Sequence, residues 1–244
     1  MRTLIKLTLS TFLIIGLAAC NNDEDPLSLG EGEVRMGVGV KMNSGTNPGA
    51  RIQNSGLDIN SGFLQVKKIE LETEGVDENG EFERELEYKF PEILKIDFNE
   101  FDSGADFFIN IPAGNYYEVE FEIDLIDNRN EPSIQLDGTF NKEDGSSVPF
   151  RLQVFGDDDE DLDFEVELEA EDDDELFFLD AVNNPLAMLE INAKGWFSSI
   201  SNSELENAEL TDGVLLISRT KNREIYERVL DKIEASSEIE LKLK

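Results

Sequence analysis

Two runs of aspartate are the residues whose types and spacing most directly suggest chemistry. Their carboxylates belong to Asp157, Asp158, Asp159, Asp161, Asp172, Asp173 and Asp174. Oxygen ligands of this kind suit Ca²⁺, and a bound cation relieves the repulsion between them. The first run is not an EF-hand, because Leu162 stands where that loop needs glycine and Leu168 where it needs a bidentate glutamate. Two interpretations follow: weak Ca²⁺ binding in loops, or solvated loops whose charge keeps the protein soluble.

Carboxylates also alternate with apolar residues in two segments. The alternating acidic residues are Glu118, Glu120, Glu122, Asp124, Asp163, Glu165, Glu167 and Glu169. Two nearby carboxylates are what a glycoside hydrolase uses as acid and base or nucleophile. Among 55 acidic residues some pair falls within reach by chance, so a solvated strand face is the competing interpretation. The cations available to separate the two stripes are Lys67, Lys68, Lys89 and Arg151.

The residue counts exclude several kinds of site. The chain has no histidine and a single cysteine, Cys20. Catalytic triads that use histidine, zinc sites built from histidine and cysteine, and disulfides within the chain are therefore excluded. Any bound metal has to be held by oxygen ligands, which favours Ca²⁺ or Mg²⁺.

Cys20 follows a segment typical of a signal peptide. Arg2 and Lys6 precede an apolar run, and Ala18 and Ala19 are the small residues before the cleavage point. The run is shorter than the ~20 residues that span a bilayer. The segment Leu17–Cys20 resembles a bacterial lipobox. The resemblance implies cleavage after residue 19 and attachment of a diacylglycerol, and often an N-linked acyl chain such as palmitate, to Cys20.

Charge narrows the range of partners. The formal net charge is −34, and such a surface repels nucleic acid and anionic lipid headgroups. Residues 20–32 are polar, acidic and glycine-containing, which is typical of a flexible tether after the lipidated cysteine. We therefore expect a signal peptide at 1–19, a tether at 20–32 and one folded domain at 33–244.

In several segments between residue 34 and about residue 170, apolar residues recur at every second position, which predicts strands. The apolar phase shifts at Lys67 and Lys68, which predicts a bulge, and Pro91 separates two of the predicted strands. Each strand has one apolar and one polar face, as in antiparallel sheets packed face to face. The sequence thus predicts a mainly β protein, an antiparallel β-sandwich of immunoglobulin-like or similar type. Near the C-terminus, Ile225, Val229 and Ile233 recur at four-residue spacing, which predicts an amphipathic helix over about 222–236 with Asn222 as its N-cap.

The chain resembles, loosely, the secreted β-sandwich lipoproteins of Bacteroidota whose function is uncharacterised. The matching segments are Leu17–Cys20, the acidic tether, the strand around Phe63–Leu71, the segment 111–119 and the stretch from Gly195 to Tyr226. The resemblance implies a lipid-anchored place at the outer membrane, including the cell surface. It implies no catalytic residue.

These observations favour a non-catalytic lipoprotein that binds or displays something. Its expected partners are the membrane, through the lipid, and a protein or a glycan; no nucleic acid is expected. Trp196 is the only tryptophan and either belongs to the core or stacks on a sugar ring. The alternatives are a carboxylate-based hydrolase, which needs a concave site, and a fimbria-like assembly subunit, which needs an open strand edge.

Overall fold

A computed structural model describes residues 27–42, 56–99, 101–156, 163–170, 176–182, 186–235 and 238–243. The expected signal peptide, Cys20 and both aspartate runs lie outside the described residues. Leu27–Gly30, which the sequence placed in the tether, forms a strand instead, because its backbone pairs with residues 107–110 and the Asn110 side chain bonds to Ser28 and Leu29.

The described residues are mainly β, as predicted. The strands are β1 (Leu27–Gly30), β2 (Val34–Met42), β3 (Leu57–Asp77), β4 (Gly80–Asn99), β5 (Phe107–Ile111), β6 (Gly114–Leu125), β7 (Ile134–Asn141), β8 (Ser147–Val154), β9 (Asp163–Ala170), β10 (Phe177–Leu179), β11 (Leu186–Ile191), β12 (Leu215–Ser218) and β13 (Glu238–Leu243). The helices are α1 (Ala193–Trp196), α2 (Asn202–Asn207) and α3 (Arg223–Glu234).

The prediction of purely antiparallel sheets is wrong, because both sheets are mixed. The small sheet has the order β1-β5-β2-β11, in which β1 pairs in parallel with β5 and β11 in parallel with β2. In the large sheet β12 is parallel to β8 and β13 is parallel to β9. A parallel pair needs a long crossover between its strands, and each of these partners lies far from the other along the chain.

The large sheet is built around β3, a strand of 21 residues. Along one edge β3 pairs with β4. Along the other edge its first part pairs with β7 and its last part with β6. The sheet then continues through β8 and β12 on the β7 side and through β9 and β13 on the β6 side. One long strand therefore connects two sets of shorter ones.

The predicted bulge at Lys67 and Lys68 is confirmed, since the register of β3 against β4 shifts between Val66 and Lys68. Pro91 lies in the part of β4 opposite this shift. Proline has no N–H to donate, and a bulge on an outer strand is one of the few sheet positions that tolerate it. For that reason β4 runs through Pro91 as one strand rather than as the two separate strands that the sequence indicated.

Buried apolar side chains from both sheets and from the helices form one hydrophobic cluster. Phe197, which follows α1, packs edge-to-face on Phe150 of the large sheet, with ring centroids 5.4 Å apart. Trp196 is only 2% exposed. The tryptophan is therefore a core residue and is not placed to stack on a sugar.

The C-terminal helix α3 lies inside the predicted range and buries Ile225, Val229 and Ile233. It begins after Asn222, as expected, but that side chain makes no cap hydrogen bond to the helix. Asn222 has φ = 53°, and its side chain bonds instead to the backbone of Glu209 and Leu216. This asparagine therefore fixes the turn that leads from β12 into α3.

Candidate functional site

The most conspicuous surface of the described residues is a sheet face covered with carboxylates. It is formed where β4, β3, β6 and β9 lie side by side. We call this surface the acidic face; its residues are Glu70, Glu72, Glu74, Glu83, Glu85, Glu87, Glu118, Glu120, Glu122, Asp124, Asp163 and Glu165. On β6 and β9 the acidic residues alternate with buried apolar ones such as Val119, Phe121 and Phe164, whereas on the outer strand β4 they alternate with residues that include Arg84 and the exposed Leu86.

The strand register places these carboxylates directly opposite one another. Glu72 of β3 pairs with Glu85 of β4 on one side and with Glu120 of β6 on the other. The same triple arrangement repeats one step along the strands on either side. Like charges directly opposite each other destabilise a sheet. The opposed carboxylates of the acidic face therefore reduce the stability of the folded protein.

The two stripes predicted from the sequence do become neighbours. Glu118, Glu120, Glu122 and Asp124 lie opposite residues 163–169 of β9 in a continuous antiparallel register. The acidic residues of β3 and β4 were missed, although their alternation is visible in the segments 68–74 and 81–87. What the sequence did not indicate is that these four segments would be consecutive neighbours in one sheet.

Lys68 is the cation that neutralises one corner of the acidic face. Its ammonium lies 2.6 Å from Asp124 Oδ2 and also contacts Glu70. Burial lowers the pKa of Lys68, but the hydrogen bond to Glu70 and the charges of Glu70 and Glu122 raise it overall. Lys89 stands opposite Lys68 in the register and pairs with Glu87, an acidic-face residue on the outer strand β4. Lys67 is exposed beside the bulge, and Arg151 pairs with Asp137 on β7, away from the acidic face.

The centre of the acidic face holds its protons more strongly than free carboxylates do. Burial, followed by the charges of Glu165, Glu118 and Glu72, raises the pKa of Glu120 to about 7. Burial and the neighbouring carboxylates also raise the pKa of Glu72 and of Glu122. Near neutral pH the charge of this face therefore responds to small changes in pH.

A shallow groove runs along the acidic face between Glu70, Glu72, Glu85, Glu120 and Glu122, and its volume is about 40 Å³. A liquid water occupies roughly 30 Å³, so the groove is too small to enclose a sugar ring.

Two groups of carboxylates on this face come close enough to share a cation. The oxygens of Glu72, Glu74 and Glu83 lie within 4.8 Å of one another, and the same holds for Glu122, Asp124 and Asp163. Asp163 lies two residues after Asp161, the last residue of the first aspartate run. The runs themselves lie outside the described residues.

A second depression, of about 440 Å³, lies between α2 and α3. Its lining includes Arg228, which is ion-paired with Glu204 at 2.6 Å. Glu204 also closes a capping box with Ser201 at the start of α2. Backbone and side-chain hydrogen bonds from Ser201, together with Arg228, lower the pKa of Glu204 to about 2. The contacts among Ser201, Glu204 and Arg228 hold α2 against α3.

Comparisons with family models, with curated proteins and with solved structures each returned no match. In the part of the chain that the structure describes, no helix combines the length and the apolar character needed to cross a bilayer.

Proposed function

We propose that this chain is a lipid-anchored, extracytoplasmic lipoprotein that acts as a non-catalytic binding or display module. The proposal that the module is non-catalytic rests on the shape of the acidic face. Its carboxylates lie in rows on a sheet surface, and their groove has a volume of only about 40 Å³. Small-molecule sites are typically about 300–1,000 Å³ in volume.

The scaffold we propose for this module is a β-sandwich. Apolar side chains of the small sheet, such as Val38 and Ile109, belong to the same hydrophobic cluster as Ile69 and Phe121 of the large sheet. The opposite surface of the large sheet carries the acidic face. An arrangement of this kind holds a charged surface rigidly while the other surface of the sheet is packed.

The acidic face and the net charge of −34 favour partners that carry positive charge. A protein with a basic surface, or a glycan with amino groups, fits this requirement. Nucleic acid does not, because its phosphates are repelled.

The hydrolase alternative has one observation in its favour, the raised pKa of Glu120 beside Glu72. A general acid in a glycosidase has such a pKa. The shallow groove weighs against it, because the sugar has no enclosed place to lie between the two carboxylates.

The assembly alternative needs an edge that accepts a further strand. Among the described residues β4 is the outer strand on its side of the large sheet, and it is 20 residues long. Pro91 and the register shift beside it interrupt that edge. Prolines, bulges and charged side chains are devices that protect strand edges from further pairing.

The anchor is tested by replacing Cys20→Ser. The expected result is that the chain moves from the membrane fraction to the soluble fraction and no longer incorporates labelled palmitate, because the acylated thiol has been removed. Ser28→Cys in the Cys20→Ser background is the matched control, since it restores a thiol outside the lipobox and should not restore membrane attachment. A Cys20→Ser chain that stays in the membrane fraction would contradict the proposal.

The proposal also includes Ca²⁺ held by the aspartate runs, with Asp163 beside them. We expect millimolar Ca²⁺ to raise the midpoint of thermal unfolding, because a ligand that binds only the folded state stabilises it. NaCl at equal ionic strength is the control for screening. The double change Asp158→Asn and Asp159→Asn should remove the shift. A midpoint that Ca²⁺ leaves unmoved would exclude the ion.

A further inference from the structure

The depression of about 440 Å³ between α2 and α3 has the size of a small-molecule site. Such sites are usually about 300–1,000 Å³ in volume, and a few polar groups in them fix the orientation of the ligand. Five of the six lining residues here are polar or charged, which favours a ligand recognised by hydrogen bonds and charge. The lining residues are Ser203, Glu204, Asn207, Glu224, Ile225 and Arg228.

Arg228 is held in a fixed position beside this depression. Its Nη2 donates to Glu204 Oε1 at 2.6 Å. Glu204 Oε2 in turn accepts from the Ser201 backbone N–H at 2.9 Å and from the Ser201 hydroxyl at 2.7 Å. The pKa of Glu204, lowered to about 2, keeps this carboxylate ionised at neutral pH. A guanidinium oriented in this way loses little freedom when it binds a ligand.

The guanidinium of Arg228 also keeps donors for a ligand. An arginine carries five N–H donors in a planar fork, and the contact with Glu204 uses only Nη2. Within the described ranges, the Nε and Nη1 groups of Arg228 donate to no other acceptor. A fork with open donors is the group that binds a carboxylate best.

Acceptors for a positively charged group lie on the same depression. Glu224 precedes Arg228 by four residues on α3, a spacing at which the two side chains usually pair. Arg228 extends to Glu204 of α2 instead, and among the described residues the Glu224 side chain makes no ion pair or hydrogen bond. The Asn207 Nδ2 donates to the Ser203 carbonyl at 2.6 Å, which leaves the amide oxygen of Asn207 as a second acceptor.

We propose that this depression binds a free α-amino acid with a small apolar side chain. The α-carboxylate contacts the open donors of Arg228, and the α-ammonium contacts Glu224 and Asn207. The side chain lies against Ile225, the one apolar residue of the lining. The inference deepens the proposed function, because it names a ligand for the binding module.

Charge and spacing favour an amino acid over other carboxylates. The net charge of −34 repels simple anions, whereas an amino acid carries no net charge. Side chains four residues apart on a helix start about 5–6 Å from each other. Glu224 and Arg228 therefore suit opposite charges carried by a single carbon atom better than the two distant ends of a peptide.

The test is a titration of the purified full-length chain with L-leucine, followed by the NMR signal of the Arg228 Nε–H group. Arg228→Lys keeps the charge but lacks the fork, and the loss of one signal in this variant identifies it. We expect a saturable shift with a millimolar dissociation constant. N-acetyl-L-leucine lacks the ammonium and L-leucinamide lacks the carboxylate, so each should bind at least about tenfold more weakly. The dipeptide glycyl-leucine should also bind more weakly, because its charges are farther apart.

Glu224→Gln and Glu227→Gln form a matched pair of variants. Both remove one charge from the exposed surface of α3, but Glu227 pairs with Arg223 outside the depression. Glu224→Gln should weaken the binding of L-leucine about tenfold, whereas Glu227→Gln should leave it unchanged. The urea midpoints of the two variants show that both remain folded.

Four outcomes would overturn the inference. They are no shift of the Arg228 signal at millimolar L-leucine, equal binding of N-acetyl-L-leucine, equal binding of L-leucinamide, and equal effects of the two glutamine variants. None of them bears on the lipid anchor, which the Cys20→Ser chain tests without reference to this depression. A failure here therefore remains distinguishable from a failure of the proposed function.

Discussion

At the scale of single residues, the carboxylates in the middle of the acidic face stand opposite one another, and Lys68 and Lys89 pair with carboxylates at one end of it. Glu120 is the clearest case, because burial and its neighbours raise its pKa to about 7. When a carboxyl group binds its proton more tightly in the folded state than in the unfolded state, its ionisation lowers the free energy of unfolding of the protein. The ionised form of Glu120 is thus a stability cost that the folded protein carries.

Replacing Glu120→Gln should therefore stabilise the protein above about pH 7.5 and have little effect near pH 5. We expect a gain of about 1–2 kcal/mol, since one pKa unit corresponds to about 1.4 kcal/mol and solvent screens a half-exposed group. Urea unfolding at the two pH values measures it. Glu131→Gln, in an exposed loop, removes the same charge and should change stability by less than about 0.5 kcal/mol. Equal effects of the two changes would contradict this account.

At the scale of elements, the short helix α2 depends on its cap. Ser201 and Glu204 form a reciprocal capping box, and Glu204 also binds Arg228 of α3. A helix of six residues has few hydrogen bonds of its own. The box therefore both starts α2 and holds it against α3.

Ser201→Ala should destabilise the protein by about 1 kcal/mol, the usual cost of losing a serine N-cap. The midpoint of urea unfolding at neutral pH is the measurement. Ser203→Ala changes a serine on the same helix outside the box and serves as the control. If both variants unfold at the same urea concentration, the capping box does not stabilise the fold.

At the scale of the whole molecule, two opposing sets of carboxyl groups shape the dependence of stability on pH. The pKa of Glu120 is raised from 4.5 to about 7 and that of Asp106 from 3.8 to about 6, with burial as the main cause in both. The pKa of Glu204 is lowered from 4.5 to about 2. Raised values favour folding at low pH and a lowered value favours it at higher pH.

We expect the unfolding midpoint to rise as the pH falls from about 8 to about 5, because Glu120 and Asp106 take up protons in the folded state first. Below about pH 4 it should fall again, as Glu204 loses its charge. Adding salt at about pH 8 should raise the midpoint by screening the acidic face. Calorimetry across this range checks both trends, and a midpoint that falls steadily from pH 8 to 5 would contradict them.

Much of the secondary structure of this protein follows from the local pattern of apolar and polar residues. Alternation of apolar and acidic residues is a property of neighbouring positions, so the strands, the bulge at Lys67 and Lys68 and the helix after Asn222 could be predicted. The absence of histidine excluded several kinds of site without any structure. The depression beside Arg228 gave no such signal, because it depends on how α2 packs against α3.

Only the tertiary structure decided which strands are neighbours. β2 pairs with β11, about 150 residues later, and β9 pairs with β13. Alternation of apolar and polar residues within one strand does not indicate which distant strand will pair with it. The acidic face exists because β4, β3, β6 and β9 are consecutive in one sheet and in a register that aligns their glutamates. Register is set by packing of the buried faces across the whole domain. The sequence therefore determined that these strands carry charge, and the fold decided that the charges stand opposite one another.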